Sequence, residues 1–115
     1  MTEDSVQDNP EAHRFEMRCA GTTAFLIYAK SPGSLRLIHT EVPPQLKGKN
    51  IGSKLVDAAL RVASGSGLEV IPQCPFVVHY LKRHPEYTNI VQPEYRSMLF
   101  TSWREKEHGG RDPAA

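Results

Sequence analysis

A short segment rich in glycine and lysine is the part of this sequence best suited to bind a phosphate. It reads Gln-Leu-Lys-Gly-Lys-Asn-Ile-Gly-Ser-Lys-Leu over residues 45–55 and stands between a strand pattern and a helix pattern. The first N–H groups of a helix have no partner within the helix and lie at the positive end of its dipole, so such a turn can bind an anion. The spacing is neither that of a P-loop nor that of a dinucleotide-binding fingerprint, and a plain loop is the alternative interpretation.

Three further residues carry side chains that can attack a carbonyl group or move a proton. Cys74 follows a strand pattern and precedes a helix pattern, where a helix dipole favours a nucleophilic thiolate. A small buried core residue is the alternative interpretation. His39 and Glu41 stand on one strand at alternate positions, so they share a face. Either could accept a proton, and the two are also suited to pair with each other.

The strands that position these residues follow from the alternation of polar and apolar residues. Gly21 and the turn-forming residues at 31–34 separate the predicted strands, which cover residues 14–19, 23–29 and 35–42. Two hairpins in succession make an antiparallel meander. The sequence therefore predicts that the end of the third strand leads into the glycine-lysine segment.

After that segment the period changes to that of helices. Apolar residues recur every three or four positions from Ile51 to Ala63, and Asp57 and Arg61 are spaced as an ion pair on the outer face. A short strand over 68–71 follows, and then a second helix over 76–83 with an apolar stripe of Phe76, Val77, Tyr80 and Leu81. Strand, helix and strand in this order form a βαβ crossover, so the third and fourth strands are expected to be parallel neighbours. From residue 87 onward the signal is weak and predicts only short pieces at 90–91 and 98–100.

Length and composition describe a single ordinary domain. The chain has 115 residues, 39% of them hydrophobic, and a net charge of +1, a balance that argues against a nucleic-acid-binding module. We expect a domain over 13–103 between disordered tails at 1–12 and 104–115. No apolar run approaches the roughly 20 residues of a membrane span, and the polar start lacks a signal-peptide core. A cytoplasmic protein without membrane partners is expected.

The cysteines support neither a metal site nor a disulfide framework. Only Cys19 and Cys74 are present, with no CxxC pair and no Cys/His spacing of a zinc site. Reduced thiols are expected, and a single bridge between the two remains the alternative.

Several motifs in order resemble the GNAT superfamily of acyl-CoA-dependent N-acetyltransferases. The hallmark of that superfamily, (Gln/Arg)-x-x-Gly-x-(Gly/Ala), matches residues 45–50, with Asn50 where the pattern has Gly or Ala. Four other segments look like its short, single-domain branch: His-Thr-Glu-Val-Pro at 39–43, Pro-Gln-Cys-Pro-Phe at 72–76, Tyr-Leu at 80–81 and His-Pro-Glu-Tyr at 84–87. That branch lacks the early helices of the superfamily, which agrees with the direct meander.

The resemblance implies an α+β fold in which the meander and the crossover form a splayed mixed sheet with helices packed on it, and CoA lies in the splay. Backbone N–H groups of the turn would bind the pyrophosphate, lysines including Lys54 would add charge, and a strand edge would pair with the pantetheine arm. The implied CoA-binding residues are Thr40, Glu41, Val42, Lys47, Gly48, Lys49, Asn50, Ile51, Gly52 and Ser53. Asn is the non-glycine residue that best tolerates left-handed backbone angles, so the turn is expected to form.

The function implied by the resemblance is acetyl transfer from acetyl-CoA to a small-molecule or protein amine. Cys74 would be the nucleophile of an acetyl-cysteine intermediate, and Tyr80 would protonate the CoA sulfur; a core tyrosine is the alternative for Tyr80. His39 or Glu41 would accept the amine proton. A non-catalytic acyl-CoA-binding or protein-interaction module on the same scaffold is the rival hypothesis. The expected partners are acetyl-CoA and an unidentified amine, and the expected state is a monomer or a weak homodimer.

Overall fold

Five strands form one mixed sheet in the computed structural model, which describes residues 5–99. They are ordered across the sheet as in the sequence: β1 (Val6–Asn9), β2 (Arg14–Cys19), β3 (Thr22–Ser31), β4 (Ser34–Glu41) and β5 (Glu69–Pro72). The first four pair antiparallel, and β5 pairs parallel to β4. The α+β class, the meander and the parallel pair after the crossover are thereby confirmed.

Three α-helices in the described part of the chain accompany the sheet: α1 (Ile51–Ser66), α2 (Pro75–Arg83) and α3 (Pro93–Arg96). The apolar stripe of α1 contacts the strands, and its side chains at Leu55, Val56 and Leu60 are fully buried. Complete burial of one such side chain stabilises the fold by about 1.5–3 kcal/mol. Gly67 ends the helix in a left-handed conformation, with its N–H bonded to the carbonyls of Ala63 and Ser64.

The segment before residue 13 corrects one prediction. Residues 1–12 were expected to be a disordered tail, yet Val6–Asn9 form β1 in register with β2, and Pro10–Ala12 form a 3₁₀ turn. The Tyr28 hydroxyl donates a hydrogen bond to Asp8 Oδ1 at 2.6 Å. A polar strand of this kind is held by its neighbour across the sheet, so its own composition carries little signal.

The β4–β5 pair separates before β4 ends. Their pairing stops at Leu37 and Pro72, whereas β4 continues to Glu41. The Leu37 carbonyl accepts hydrogen bonds from the N–H groups of both Gln73 and Cys74, each at 3.0 Å, and the chain then turns into α2. Within residues 5–99, the last residues of β4 therefore have β3 on one side and no strand on the other. This is the splay that the family resemblance implied.

The last third of the chain matches its weak sequence signal. Pro85–Ile90 form 3₁₀ structure and Val91 makes a parallel bridge to Val70, where a short piece at 90–91 was predicted. Ser97–Leu99 form a 3₁₀ turn in the piece predicted at 98–100. Trp103 and the predicted tail at 104–115 lie outside the described residues. None of the helices in residues 5–99 has the length and apolar character needed to cross a membrane.

Candidate functional site

A groove of about 510 Å³ lies between the free end of β4 and the first turn of α1. It is lined by eight of the ten residues that the resemblance implied for CoA: Thr40, Val42, Lys47, Gly48, Asn50, Ile51, Gly52 and Ser53. Glu41 and Lys49 do not line it, and Leu46 and Phe76 complete the wall. Its volume is in the usual range for a small-molecule site.

The backbone of the turn leaves hydrogen-bond donors open at the start of α1. Gly48 and Asn50 both have positive φ, of 86° and 63°, so the chain turns sharply there and the expected left-handed tolerance of Asn50 is confirmed. The N–H of Lys54 bonds to the Asn50 carbonyl at 3.2 Å. The N–H groups of residues 51–53 have no acceptor within residues 5–99. Three donors thus remain at the positive end of a 16-residue helix.

The charge around this turn is positive and uncompensated. Lys47, Lys49 and Lys54 are all exposed, and none forms an ion pair with any described residue. Lys47 also lines the groove. An anionic ligand would therefore meet both open N–H groups and unpaired ammonium groups.

An aromatic ring that sequence reasoning placed elsewhere forms one wall of the groove. Phe76 was assigned to the buried stripe of α2 with Val77 and Leu81, but it is 38% exposed whereas those two are buried. Its ring reaches α1, where a Cβ added at Gly52 would lie 2.9 Å from the Phe76 Cζ. The ring fits in this position only because residue 52 has no side chain.

The thiol predicted as a nucleophile is buried and is not part of the groove lining. Cys74 is only 4% exposed and does not line the groove, although it occupies the expected cap position before α2. Its Sγ lies 3.5 Å from the Oγ1 of Thr40, which does line the groove. The thiol is therefore buried, and it contacts a side chain that lines the groove. Cys19 and Cys74 are not joined by a disulfide in this structure.

His39 and Glu41 contact each other on the free end of β4. The His39 Nε2 lies 2.9 Å from the Glu41 Oε1, and each side chain is 54% exposed. Neither residue lines the groove, because their side chains alternate with that of Thr40 along the strand. The pairing that the spacing allowed is thus present, on the opposite face of the strand from Thr40.

The Tyr80 hydroxyl is held by a carboxylate instead of facing the groove. It donates to Asp57 Oδ1 at 3.4 Å, and Tyr87 donates to the same oxygen at 2.9 Å. Arg61 Nε donates to the other oxygen at 2.7 Å, which confirms the predicted pair of Asp57 and Arg61. Burial, together with the negative charge of Asp57, raises the pKa of Tyr80 to about 12. The three donors form a cluster, the Asp57 cluster, that ties α1 to the segment 80–87.

Comparison with known proteins decides the family. The family model described as GCN5-related N-acetyl-transferase matches residues 14–90. The chain belongs to the GNAT family. Its fold resembles the solution structure of a GCN5-like candidate N-acetyltransferase from Staphylococcus aureus, with a TM-score of 0.63 and 22% identity over 80% of this chain and 91% of that one. No curated protein matched the sequence.

In this GNAT domain the structure brings the turn and the end of β4 together but leaves the proton-transfer candidates outside the groove. Among the lining residues, Lys47 has the single titratable side chain. The sequence analysis did not identify Leu46 and Phe76 as residues of the site, although both line the groove. The available signal for Phe76 was its spacing from Tyr80 and Arg83, at i, i+4 and i+7, which places all three on one face of α2.

Proposed function

We propose that this GNAT protein transfers an acetyl group from acetyl-CoA to an amine. The observation that carries the proposal is the groove, where the open N–H groups at the start of α1 lie beside the free edge of β4. A pyrophosphate suits the N–H groups of residues 51–53, and Lys47 and Lys49 offset its charge.

The strand edge suits the rest of the ligand. Thr40 and Val42 line the groove at the end of β4, where β5 no longer pairs with it. The pantetheine arm of CoA carries amide N–H and C=O groups, which can pair with a free strand edge as an added strand does. The groove thus offers a donor set for the phosphates and an edge for the amides.

The reaction needs a neutral amine and a proton for the departing thiolate. Acetyl-CoA supplies a thioester whose carbonyl carbon an amine can attack, so that a C–N bond forms and the C–S bond breaks. We assign the amine proton to the exposed pair of His39 and Glu41 at the end of β4, and water carries the proton to it because the pair lies on the opposite face of the strand from Thr40. Water in the open groove returns a proton to the sulfur, and Tyr80 is the alternative donor.

The acetyl-cysteine route remains the alternative to direct transfer. In it, the Cys74 sulfur attacks the thioester, CoA leaves as the thiolate, and the amine then attacks acetyl-Cys74 and releases the thiol. Direct transfer is favoured because Cys74 is buried and does not line the groove. Intact-mass measurement after addition of acetyl-CoA distinguishes the routes, with Cys19→Ala as the control. An acetyl adduct that is lost in Cys74→Ala and discharged by amine supports the cysteine route, whereas full turnover by Cys74→Ala excludes it.

Calorimetric titration with CoA tests the site itself. We expect saturable binding that weakens strongly in Gly48→Val. Gly33→Val is the matched control, because Gly33 has nearly the same φ (84° against 86°) and likewise has open space around its Cα, but lies in the turn between β3 and β4. Both variants should lose similar stability, and only Gly48→Val should lose affinity. A wild-type protein that does not bind CoA would contradict the proposal.

A non-catalytic CoA-binding module is the second candidate. It is favoured by one observation, that Lys47 is the single titratable side chain along the groove. A panel of small amines and peptide amino termini, assayed for release of free CoA thiol, separates the two. Saturable CoA binding without thiol release above the uncatalysed rate would support the module.

A further inference from the structure

The free end of β4 has a second side, on the outer face of the sheet and away from the groove. Its pairing with β3 shifts register by one residue, so Ile38 is an extra residue in β4. Such a bulge reverses the alternation of side chains along a strand. Leu37 and Thr40 therefore share the face on which α1 and α2 pack, whereas His39 and Glu41 lie on the outer face. An amine that gives its proton to this pair approaches from the outer face.

Two apolar side chains adjoin that pair. In the register of β3 and β4, Ile27 is directly opposite His39, and Phe25 is directly opposite Glu41. The Cβ atoms of residues opposite each other in antiparallel strands are about 5 Å apart, and their side chains share a face. Ile27 and Phe25 are both partly exposed, and neither packs against the hydrophobic core. We call these two residues the outer strip.

The charged residues of β2 beside the outer strip pair with each other. Arg14 Nε lies 2.6 Å from Glu16 Oε2, and the Arg14 guanidinium lies over the Phe25 ring, 4.4 Å from its centroid. Among the described residues, the ion-pair partner of Glu41 is the exposed His39 alone. The Glu41 carboxylate therefore attracts an ammonium group, and an apolar group attached to that ammonium is placed on the outer strip.

The exposure of the pair limits which amines it can use. His39 and Glu41 are each 54% exposed, so water surrounds an amine beside them and little desolvation lowers the pKa of that amine. A polypeptide α-amine has a pKa of about 7.7–8.0, so about one molecule in seven is neutral at pH 7. For a lysine side chain, with a pKa of about 10.4, the neutral fraction is about one in 2,500. Such an open site favours the α-amine by roughly several hundredfold.

We propose that the acceptor is the α-amine of a polypeptide whose first residue is apolar, and that the side chain of this residue lies on the outer strip. The proposal rests on the proposed acetyl transfer and adds the class of acceptor. A polypeptide is favoured over a small amine because small-molecule sites are concave, whereas the outer strip lies on the open face of a sheet.

The transfer step follows from the two faces of β4. Across the free edge of the strand, the neutral α-amine attacks the carbonyl carbon of the thioester, a C–N bond forms and the C–S bond to CoA breaks. The amine proton passes through water to the pair of His39 and Glu41, and the CoA thiolate takes a proton from water. The product is a polypeptide with an acetylated amino terminus, together with the free thiol of CoA.

Three synthetic peptides of closely matched sequence, each mixed with acetyl-CoA, test the proposal. One begins with a free leucine, one begins with a free serine, and the third is blocked at its amino terminus and carries a single lysine. Release of CoA thiol measures the rate, and mass spectrometry locates the acetyl group. We expect kcat/KM for the leucine peptide to exceed that for the serine peptide about fivefold, and that for the lysine peptide at least about 100-fold.

Ile27→Ala should remove the preference for leucine. The ratio of kcat/KM between the leucine and serine peptides should fall below about two, because the substitution removes most of the aliphatic surface opposite His39. Val62→Ala is the matched control, since Val62 is a partly buried aliphatic residue of α1, on the other face of the sheet. It should keep the wild-type ratio. A folded Ile27→Ala variant with the wild-type ratio overturns the proposal.

Measurements on the wild type do not depend on how well a variant folds. For the leucine peptide, kcat/KM should rise with pH and level off near pH 8, where the α-amine becomes neutral. Equal rates for the leucine and serine peptides, or a comparable rate for the lysine peptide, overturn this proposal and leave the acetyl transfer standing. Transfer to butylamine but to no peptide has the same meaning. Absence of thiol release with butylamine and with every peptide contradicts the proposed function itself.

Discussion

Phe76 of α2 packs directly on Gly52 of α1, so closely that a Cβ at residue 52 would lie 2.9 Å from the Phe76 Cζ. The ring also lines both the groove and a second cavity of about 450 Å³ between the first turn of α1 and α2. The first turns of two helices are thus joined at the place where the proposed ligand would pass. The space there depends on the Phe76 ring and on the absence of a side chain at Gly52.

Gly52→Ala is expected to affect binding more than folding. Gly52 has an ordinary helical φ, so alanine gains up to about 1 kcal/mol of helix propensity, while its methyl group displaces the exposed end of the Phe76 ring. We expect an unchanged or higher Tm and a roughly fivefold loss of CoA affinity. Gly65→Ala, also in α1 but with open space around it, should gain stability without losing affinity. Unaltered affinity in Gly52→Ala would show that the ring does not shape the site.

Asn50 is expected to tolerate replacement by glycine but not by alanine. Its φ of 63° is left-handed, a conformation that disfavours an ordinary side chain by about 1–2 kcal/mol. Asn50→Ala should lower the free energy of unfolding by about 1 kcal/mol in urea titrations, and Asn50→Gly should change it by less than about 0.5 kcal/mol. Its side chain makes no cap hydrogen bond, which is why the amide can be removed. A large loss in Asn50→Gly would reveal a contact of that amide.

Asp57 is expected to make stability depend on acid pH. Burial alone raises the pKa of Asp57, but hydrogen bonds from Arg61 and Tyr87 outweigh it, so the net pKa is lowered. A carboxyl with a lowered folded pKa contributes stability that is fully present above its unfolded pKa near 4 and is lost as pH falls through the folded pKa. Asp57→Asn should therefore lower stability by about 1–2 kcal/mol at pH 7, with a difference that shrinks below about pH 4.

Urea unfolding of both proteins at pH 7, 5, 4 and 3 measures this difference. Glu69→Gln is the control, because Glu69 is exposed and has no ion pair with any residue from 5 to 99. It should show no such change with pH. A difference between Asp57→Asn and wild type that persists unaltered at pH 3 would contradict the assigned cause.

Tyr80→Phe and Tyr87→Phe form a matched pair, because both hydroxyls donate to the same oxygen of Asp57. The hydrogen bond to Asp57 is shorter from Tyr87, at 2.9 Å, than from Tyr80, at 3.4 Å. Tyr87→Phe should therefore lower the free energy of unfolding by about 1 kcal/mol, and Tyr80→Phe should lower it by less. Neither should change kcat by more than about twofold, since water is the proposed proton donor to the sulfur. A loss on the order of 100-fold confined to Tyr80→Phe would instead identify Tyr80 as the acid.

The sequence was most informative where local chemistry decides the structure. The stripe from Ile51 to Ala63 has the helical period, and α1 follows it; Asn50 tolerates positive φ, and the turn uses it. The ion pair of Asp57 and Arg61 required only their spacing on one helix. Each of these features involves residues close together in the chain.

Contacts between distant segments were the ones that could not be predicted. The strand β1 is polar, and it is held by register with β2 and by the bond from Tyr28 to Asp8. The position of Phe76 depends on how α2 approaches Gly52, and the Tyr80 hydroxyl found a partner 23 positions earlier. Periodicity assigns a residue to a face of its own helix but not to the neighbour that this face will meet.

The open donors at the start of α1 are main-chain groups, and so is the free edge of β4. Such groups are present whatever side chains occupy those positions, provided that the turn keeps its shape. Descendants of this chain could therefore exchange most residues around the groove during evolution and still retain the ligand. A record of such exchange would be hard to trace by comparing residue identities, and easier to trace by comparing backbone paths.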